Sequence, residues 1–211
     1  MAVYGCERPP FYEEMQPSPI DPYGIAKYAV EMDLRSAQQQ HGLQYSIIRP
    51  HNIVGIYQNI WDKYRNVAGI FIRKVLDREP ILIYGDGEQT RAFSDVKYYM
   101  KPFVDLITNH NGQTFNIGAD KAYTINELAD IVLNVAKKYG YYTTIQRAEP
   151  RHEAKYAHCD HTKAKEVLDF CDKTNLNNLI EEMFVWAMNQ PKREQKYMDY
   201  EVEKGIYDYW K

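Results

Sequence analysis

The residues with the clearest chemical potential are Tyr23 and Lys27, four positions apart in a segment rich in alanine, methionine, leucine and glutamine. Positions i and i+4 of a helix lie on one face, so the lysine ammonium would approach the phenol. A nearby positive charge favours the phenolate and lowers the tyrosine pKa from about 10 towards neutrality. A tyrosinate then serves as a general base. Because this spacing is common in helices, the pair alone does not establish catalysis.

A second group of chemically capable side chains lies late in the chain and comprises His152, His158, Cys159 and His161. Their spacing fits no regular zinc-ligand pattern, so the sequence alone predicts no metal site. The three cysteines of the chain show no metal-type spacing. Their odd number also argues against a disulfide framework and indicates a reducing, cytoplasmic setting.

Composition narrows the class of protein. The 211 residues are 45% hydrophobic and 26% charged with a net charge of −3, values typical of one globular domain or slightly more. The 19 tyrosines argue against a disordered chain. No apolar run reaches membrane-spanning length, the near-neutral balance does not indicate a nucleic-acid partner, and residues 1–20 do not resemble an export signal.

The elements that position these residues follow from apolar periodicity and from the turn-forming residues between them. The opening, residues 1–5, predicts the end of a buried strand, and the proline-rich residues 7–22 predict an ordered loop. Strands are predicted at 44–49, 81–84, 113–117 and 142–146, and helices at 23–40, 66–76, 124–138, 162–168 and 176–189. This alternation favours an α/β fold with a parallel sheet, followed by a small α+β lobe.

Several segments, taken in order, resemble the extended short-chain dehydrogenase/reductases, and most closely the sugar-nucleotide epimerases of the UDP-glucose 4-epimerase type. They are Met1-Ala-Val-Tyr-Gly, Pro19-Ile-Asp-Pro-Tyr-Gly-Ile-Ala-Lys, Arg49-Pro-His-Asn-Ile-Val-Gly, Asn66-Val-Ala-Gly-Ile-Phe, Ile83-Tyr-Gly-Asp-Gly-Glu-Gln-Thr-Arg-Ala-Phe and Glu149-Pro-Arg-His-Glu-Ala-Lys. The resemblance covers about residues 1–170. It implies the C-terminal part of a doubly wound Rossmann-type parallel sheet with a small α+β substrate-binding lobe.

The domain division implied by the resemblance has three parts. Residues 1–60 would be the remaining part of an NAD-binding Rossmann domain. Residues 61–190 would form mainly the nucleotide-sugar lobe, with a short return to the Rossmann sheet near 90–120. Residues 191–211, rich in lysine, glutamate, tyrosine and aspartate, would be a polar tail.

The resemblance also implies a cofactor, NAD, and assigns residues to it. Tyr23 would be the catalytic base and acid that removes and returns the proton of a sugar hydroxyl. Lys27 would lower the pKa of Tyr23 and hydrogen-bond the nicotinamide ribose. Pro50 and His51 would lie where the backbone meets the nicotinamide. No metal is required by this family.

The substrate implied by the resemblance is a UDP-sugar, and the expected contacts are as follows. Asn52, Asn66 and Val67 would face the diphosphate, the last two through the N-terminus of a helix. Leu82 and Tyr84 would flank the uracil ring. The forked guanidinium groups of Arg91 and Arg151 would grip the diphosphate, and Glu153 would hold the nucleoside ribose.

The expected reaction is inferred from the residues at the start of the chain and from the family motifs that the sequence does not contain. Related dehydratases and decarboxylases carry acidic residues where this chain has Met1 and Ala2, which favours an epimerase. The family's Gly-x-x-Gly-x-x-Gly segment is not in this sequence, and its catalytic serine or threonine would precede Met1. We therefore expect an inactive, association-prone isolated chain: a gene fragment, a split subunit or a degenerate paralogue.

Two alternative functions stay open from the sequence. One is a non-catalytic nucleotide-sugar-binding remnant that retains Asn52, Arg91 and Arg151. The other is one subunit of a split enzyme, to which this chain would contribute Tyr23 and Lys27. The resemblance further implies a homodimer in which the helix at 23–40 takes part, or a separate N-terminal half as partner.

Overall fold

The computed structural model describes residues 2–62, 66–151 and 153–193, and the predicted tail from residue 194 onward lies outside them, as do Tyr64 and His152. The order of helices and strands is mixed α/β, as the sequence predicts. The first half contains α1 (Pro22–His41), β1 (Ile47–Pro50), β2 (Ile53–Val54), α2 (Val67–Leu76), β3 (Ile81–Tyr84), β4 (Thr90–Ala92), β5 (Ser94–Asp95) and α3 (Met100–Thr108). The second half contains β6 (Thr114–Ile117), β7 (Ala122–Thr124), α4 (Ile125–Lys138), β8 (Ile145–Ala148), β9 (Tyr156–Ala157), α5 (Thr162–Leu168) and α6 (Leu176–Met188).

The strands form small sheets, and most of their pairings are parallel. β1 pairs with β6, β2 with β5 and β3 with β8, all parallel. β4 lies between antiparallel β7 and parallel β9. Parallel pairs need long crossover connections, which the intervening helices supply. This arrangement confirms the predicted α/β class.

The largest hydrophobic cluster joins α2, α4 and α6 to β3. Phe71, Leu128 and Phe184 are almost fully buried within it. A second cluster packs α5 and the segment before α3 against β1 and β6, and a third surrounds Tyr4 and Phe11. Among the described residues, none of the helices combines the length and the apolar character that a membrane span requires.

Helix boundaries follow from local capping chemistry that the sequence already displays. The Asp21 side chain accepts a hydrogen bond from the Gly24 N–H at 2.6 Å, and Pro22 occupies the first helical position of α1. Gly42 ends α1 in the left-handed conformation, with φ of 70°. Thr124 and Glu127 form the predicted capping box at the start of α4.

The opening segment is a correction to the sequence prediction. Ala2–Tyr4 forms a short 3-10 helix rather than a strand, closed by the Gly5 N–H donating to the Ala2 carbonyl at 3.3 Å. A strand requires a neighbour to accept its backbone hydrogen bonds, whereas a single turn satisfies its own. The predicted burial of the segment is confirmed at Val3 and Tyr4.

Other boundaries also differ from the sequence prediction. The strand predicted at 142–146 lies at Ile145–Ala148, since its start is set by pairing with β3. The helix α3 was not predicted, because Pro102 interrupts the helical pattern. Proline is tolerated there because it lies within the first helical turn.

A buried polar network fastens α1 to β1. The Arg49 guanidinium donates to both carboxylate oxygens of Glu31, at 2.9 and 2.7 Å, and to the Tyr4 hydroxyl at 2.6 Å. Tyr4 in turn donates to Asn116 of β6 at 2.8 Å. Although burial opposes the charge, Glu31 and Tyr4 raise the pKa of Arg49 above its ordinary value. This network fixes the helix that carries Tyr23 against the sheet.

Candidate functional site

The predicted catalytic pair lies near the start of α1. The Lys27 ammonium lies 5.4 Å from the centroid of the Tyr23 ring, so the two side chains meet on one face of the helix. Tyr23 is 63% exposed. A phenol with a cation beside it and an open approach is suited to exchange a proton with a bound hydroxyl group.

Two predicted base-binding residues alternate along β3, and an arginine covers one of them. Leu82 and Tyr84 are two positions apart on the strand and therefore face the same side. The Arg151 guanidinium carbon lies 3.3 Å from the centroid of the Tyr84 ring. Gly85 permits this approach, because its φ of 67° turns the chain and Pro150 passes close to it. The result is a layer in which a guanidinium group covers one face of an aromatic ring.

Arg91 and Glu153 form an ion pair next to this layer. The parallel pairing of β4 with β9 brings them together, and the Arg91 guanidinium contacts the Glu153 carboxylate at 2.6 Å. Burial lowers the pKa of Arg91, and the Glu153 carboxylate offsets this only in part. In such a pair the half-buried guanidinium group can bind an anion, and the carboxylate can accept a hydrogen bond from a hydroxyl group.

The two predicted asparagines are brought together by backbone carbonyl groups. The Asn52 amide donates to the Ala92 carbonyl at 3.1 Å, directly after Arg91 in the chain. Asn66 caps α2, accepts from the Ala68 N–H at 3.3 Å and donates to the Ile53 carbonyl at 2.8 Å. Val67 opens the helix beside it. The structure thus places Asn52 directly before β2 and bonds Asn66 to β2, while the Asn52 side chain reaches the end of β4.

The predicted nicotinamide-facing residues differ in exposure. Pro50 ends β1 and is exposed, whereas His51 is fully buried. The His51 N–H donates to the Ile117 carbonyl at 3.1 Å, and its ring lies edge-on to the His161 ring at a centroid distance of 4.9 Å. The His51 side chain is therefore packed inside the protein. A contact of this residue with the cofactor would have to be made by its backbone.

Gln89 is a residue of this region that sequence reasoning missed. Its side-chain amide donates to the Tyr84 carbonyl at 3.2 Å and to Glu153 at 3.4 Å, so it connects the aromatic layer with the ion pair. A signal was available, since Gln89 stands two residues before Arg91, on the same side of an extended segment.

Comparison with known proteins identifies the family that the sequence motifs resemble. Residues 1–118 match the model of the NAD dependent epimerase/dehydratase family. The UDP-glucose 4-epimerase of Thermotoga maritima, solved with UDP-glucose, is 30% identical with a TM-score of 0.79 over 88% of this chain and 60% of that one. The UDP-N-acetylglucosamine 4-epimerase of Methanobrevibacter ruminantium, solved with UDP-N-acetylmuramic acid, is 27% identical with a TM-score of 0.80 over 89% and 60%.

A more distant relative shows the range of reactions in the group. The GDP-mannose 3,5-epimerase of Arabidopsis thaliana is 26% identical over 84% of this chain and 46% of its own length. The present chain thus spans roughly half to three fifths of the length of the relatives it matches. From the matched family model, which covers more than half of the residues, and from the shared fold, the chain belongs to the NAD dependent epimerase/dehydratase family.

Proposed function

We propose that this chain carries the substrate-binding and proton-transfer part of an NAD-dependent nucleotide-sugar 4-epimerase of the UDP-glucose/UDP-galactose type. The observation that carries the proposal is the contact between Lys27 and Tyr23 on the exposed start of α1, in a chain of this family. In this reaction Tyr23 takes the proton from the sugar hydroxyl and later returns it. Lys27, whose ammonium lies 5.4 Å from the centroid of the Tyr23 ring, would supply positive charge next to this side chain during the proton transfer.

The nucleotide would be held by the residues around β3 and β4. Leu82 and the face of Tyr84 opposite Arg151 would flank the base, and the guanidinium groups of Arg91 and Arg151 would bind the diphosphate. Glu153 would exchange part of its contact with Arg91 for the ribose hydroxyl groups. The Thermotoga maritima and Methanobrevibacter ruminantium relatives were both solved with UDP-sugars, which supports this choice of substrate class.

The residues present fit one end of the NAD cofactor. The exposed Tyr23, Lys27 and Pro50 would hold the nicotinamide and its ribose, while this sequence contains no glycine-rich segment for the pyrophosphate. When bound, NAD accepts a hydride from the sugar and returns it. We therefore propose that catalysis requires a further segment with a glycine-rich strand-to-helix turn, and that the isolated chain is inactive.

Two helices, α1 and α3, leave large apolar side chains exposed. On α1, Ile25, Val30 and Met32 are each 55% exposed, and on α3 Val104 and Ile107 are 68% and 80% exposed. Exposed apolar side chains that lie near one another can mark contact surfaces. We propose that they pack against the glycine-rich segment and against a second copy of the protein.

The test is a chimera in which the N-terminal portion of the Thermotoga maritima enzyme, up to the start of the match, precedes residue 1. We expect it to interconvert UDP-glucose and UDP-galactose in the presence of NAD, as measured by chromatography of the nucleotide sugars. The Tyr23→Phe chimera should lose at least 100-fold in rate, within the typical contribution of a general base. The matched control Tyr28→Phe, on the same helix, should retain full rate.

A non-catalytic nucleotide-sugar-binding function is the second candidate, because the residues expected to bind nucleotide lie together in this chain. It predicts binding of UDP-sugar that does not change when NAD is added, and a folded chimera without turnover. Equal rates for the Tyr23→Phe and parent chimeras would also contradict the proposed role of Tyr23.

A further inference from the structure

Three side chains with metal-binding atoms meet in the interior of the protein. His51 follows β1, whereas Cys159 and His161 lie between β9 and α5. One ligand atom from each lies within 4.8 Å of the others, and all three residues are buried. We propose that His51, Cys159 and His161 form a binding site for a zinc ion.

The hydrogen bonding of the two histidines supports this inference. Within the described residues, neither ring nitrogen of His51 has a hydrogen-bond partner, and the same holds for Nε2 of His161. Buried polar atoms in native proteins nearly always have a partner, so three such nitrogen atoms in one cluster require an explanation. A metal ion supplies the missing partner for one nitrogen of each ring.

Metal binding would change the protonation of one ligand. The thiolate is the form of cysteine that coordinates metals, so binding would release the proton of the Cys159 thiol. An imidazole ring coordinates a metal in its neutral form.

The surroundings orient His161 as a ligand. Its Nδ1 lies 3.4 Å from the Asp120 carboxylate, whereas its buried Nε2 has no hydrogen-bond partner among the described residues. A carboxylate on the far nitrogen of a metal-binding histidine is a recurrent arrangement that fixes the ring. Gly118 makes room for His51, since a Cβ at that position would lie 2.6 Å from the His51 Cγ.

The donor set indicates zinc. One thiolate and two imidazoles match the nitrogen and sulfur ligands of tetrahedral Zn²⁺, whose bonds of about 2.0–2.3 Å place ligand atoms roughly 3.5 Å apart. The present separations, which are at most 4.8 Å, would shorten by up to about 1.3 Å on binding. Bound zinc would clamp the segment before α5 to the end of β1, next to the hydrogen bonds that Phe11 makes with His158 and Asp160.

The experiment uses the full chain without a histidine tag. After removal of metals with a chelator, the protein is dialysed with Zn²⁺ and then without it, and bound zinc is measured by mass spectrometry. We expect about one zinc ion per chain, and in a parallel Co²⁺ sample the absorption band of a cobalt–thiolate bond. Cys159→Ala should lose that band, whereas Cys171→Ala, which removes an exposed cysteine, should keep both signals.

A variant outside the proposed ligand set distinguishes weakened zinc binding from a failure of the protein to fold. Asp120→Asn keeps all three ligands and changes a half-exposed carboxylate, and we expect it to weaken zinc binding about 10- to 100-fold. The inference is overturned if the wild-type chain retains no zinc, if its cobalt form lacks the thiolate band, or if Cys159→Ala binds zinc as tightly as the wild type. None of these results depends on epimerase activity.

Discussion

At the scale of single residues, the candidate site depends on contacts such as that of the Arg151 guanidinium, whose carbon lies 3.3 Å from the centroid of the Tyr84 ring. Tyr23 and Lys27 were predictable as a pair because helical geometry fixes their distance from local spacing alone. The layer of Arg151 on Tyr84 was not, because it depends on the β3–β8 pairing between segments far apart in the chain. For the same reason the meeting of His51 with Cys159 and His161 lies beyond any local spacing rule.

The stacked arginine gives a prediction at this scale. Replacing Arg151 with lysine keeps the charge but removes the planar group that covers Tyr84. We expect Arg151→Lys to weaken UDP binding about tenfold, equivalent to about 1.4 kcal/mol, in calorimetric titration. Arg147→Lys is the control, because Arg147 contacts the carbonyl of Asp86 and the side chain of Asn126 instead. Equal losses in the two variants would speak against a specific role for the stack.

At the scale of helices and strands, local sequence signals predicted the helices that have clear capping residues. They did not predict the short strands, whose positions are set by pairing with another strand. The capped helices α1, α2 and α4 begin within one residue of their predicted starts. The two-residue strands β2, β5 and β9 carry no periodic pattern and exist only through their partners. The opening segment was predicted as a strand because its residues are apolar, yet it forms a 3-10 helix.

Glu31 attaches α1 to β1 through a buried ion pair with Arg49, and it also contacts the more exposed Arg35. The Arg49–Glu31 pair is buried, with side chains 3% and 7% exposed, whereas Arg35 is 46% exposed and lies 3.5 Å from the same carboxylate. Breaking a buried pair typically costs about 3–5 kcal/mol, and an exposed one about 1 kcal/mol or less. Glu31→Gln should therefore lower the free energy of unfolding far more than Arg35→Gln in urea titrations. Similar midpoints for the two variants would refute this account.

At the scale of the whole molecule, hydrophobic clusters of the described residues and the buried polar network hold the fold together. The network links the opening segment, α1, β1 and β6 through Tyr4, Glu31, Arg49 and Asn116. The family and the α/β class followed from motifs in the sequence, and the comparisons confirm both. The domain boundaries at residues 60 and 190 stay predictions.

The titration of Tyr4 makes stability depend on alkaline pH. Burial raises the pKa of Tyr4 from 10.0 to about 12, although Arg49 opposes the shift. Between these values the unfolded chain has lost a proton that the folded chain retains, so the free energy of unfolding falls as pH rises past 10. The full effect of this one group is about 2–3 kcal/mol.

Chemical unfolding of wild type and Tyr4→Phe from about pH 9 to about pH 11 checks this expectation. Burial raises the pKa of Tyr99 as well, so both proteins should lose stability, with the wild type losing more. The variant starts less stable, because it lacks the hydroxyl that bonds Arg49 and Asn116. Parallel pH profiles would show that Tyr4 is not the group responsible.

The most direct measurement for the account as a whole is calorimetric titration of the 211-residue chain with UDP, comparing wild type with Arg91→Gln. If the residues around β3 and β4 form the nucleotide site, the wild type should bind one UDP per chain. Arg91→Gln should bind at least tenfold more weakly, while Arg8→Gln, which changes an exposed arginine, should match the wild type. Absence of saturable UDP binding, or equal affinity of wild type and Arg91→Gln, would contradict the account.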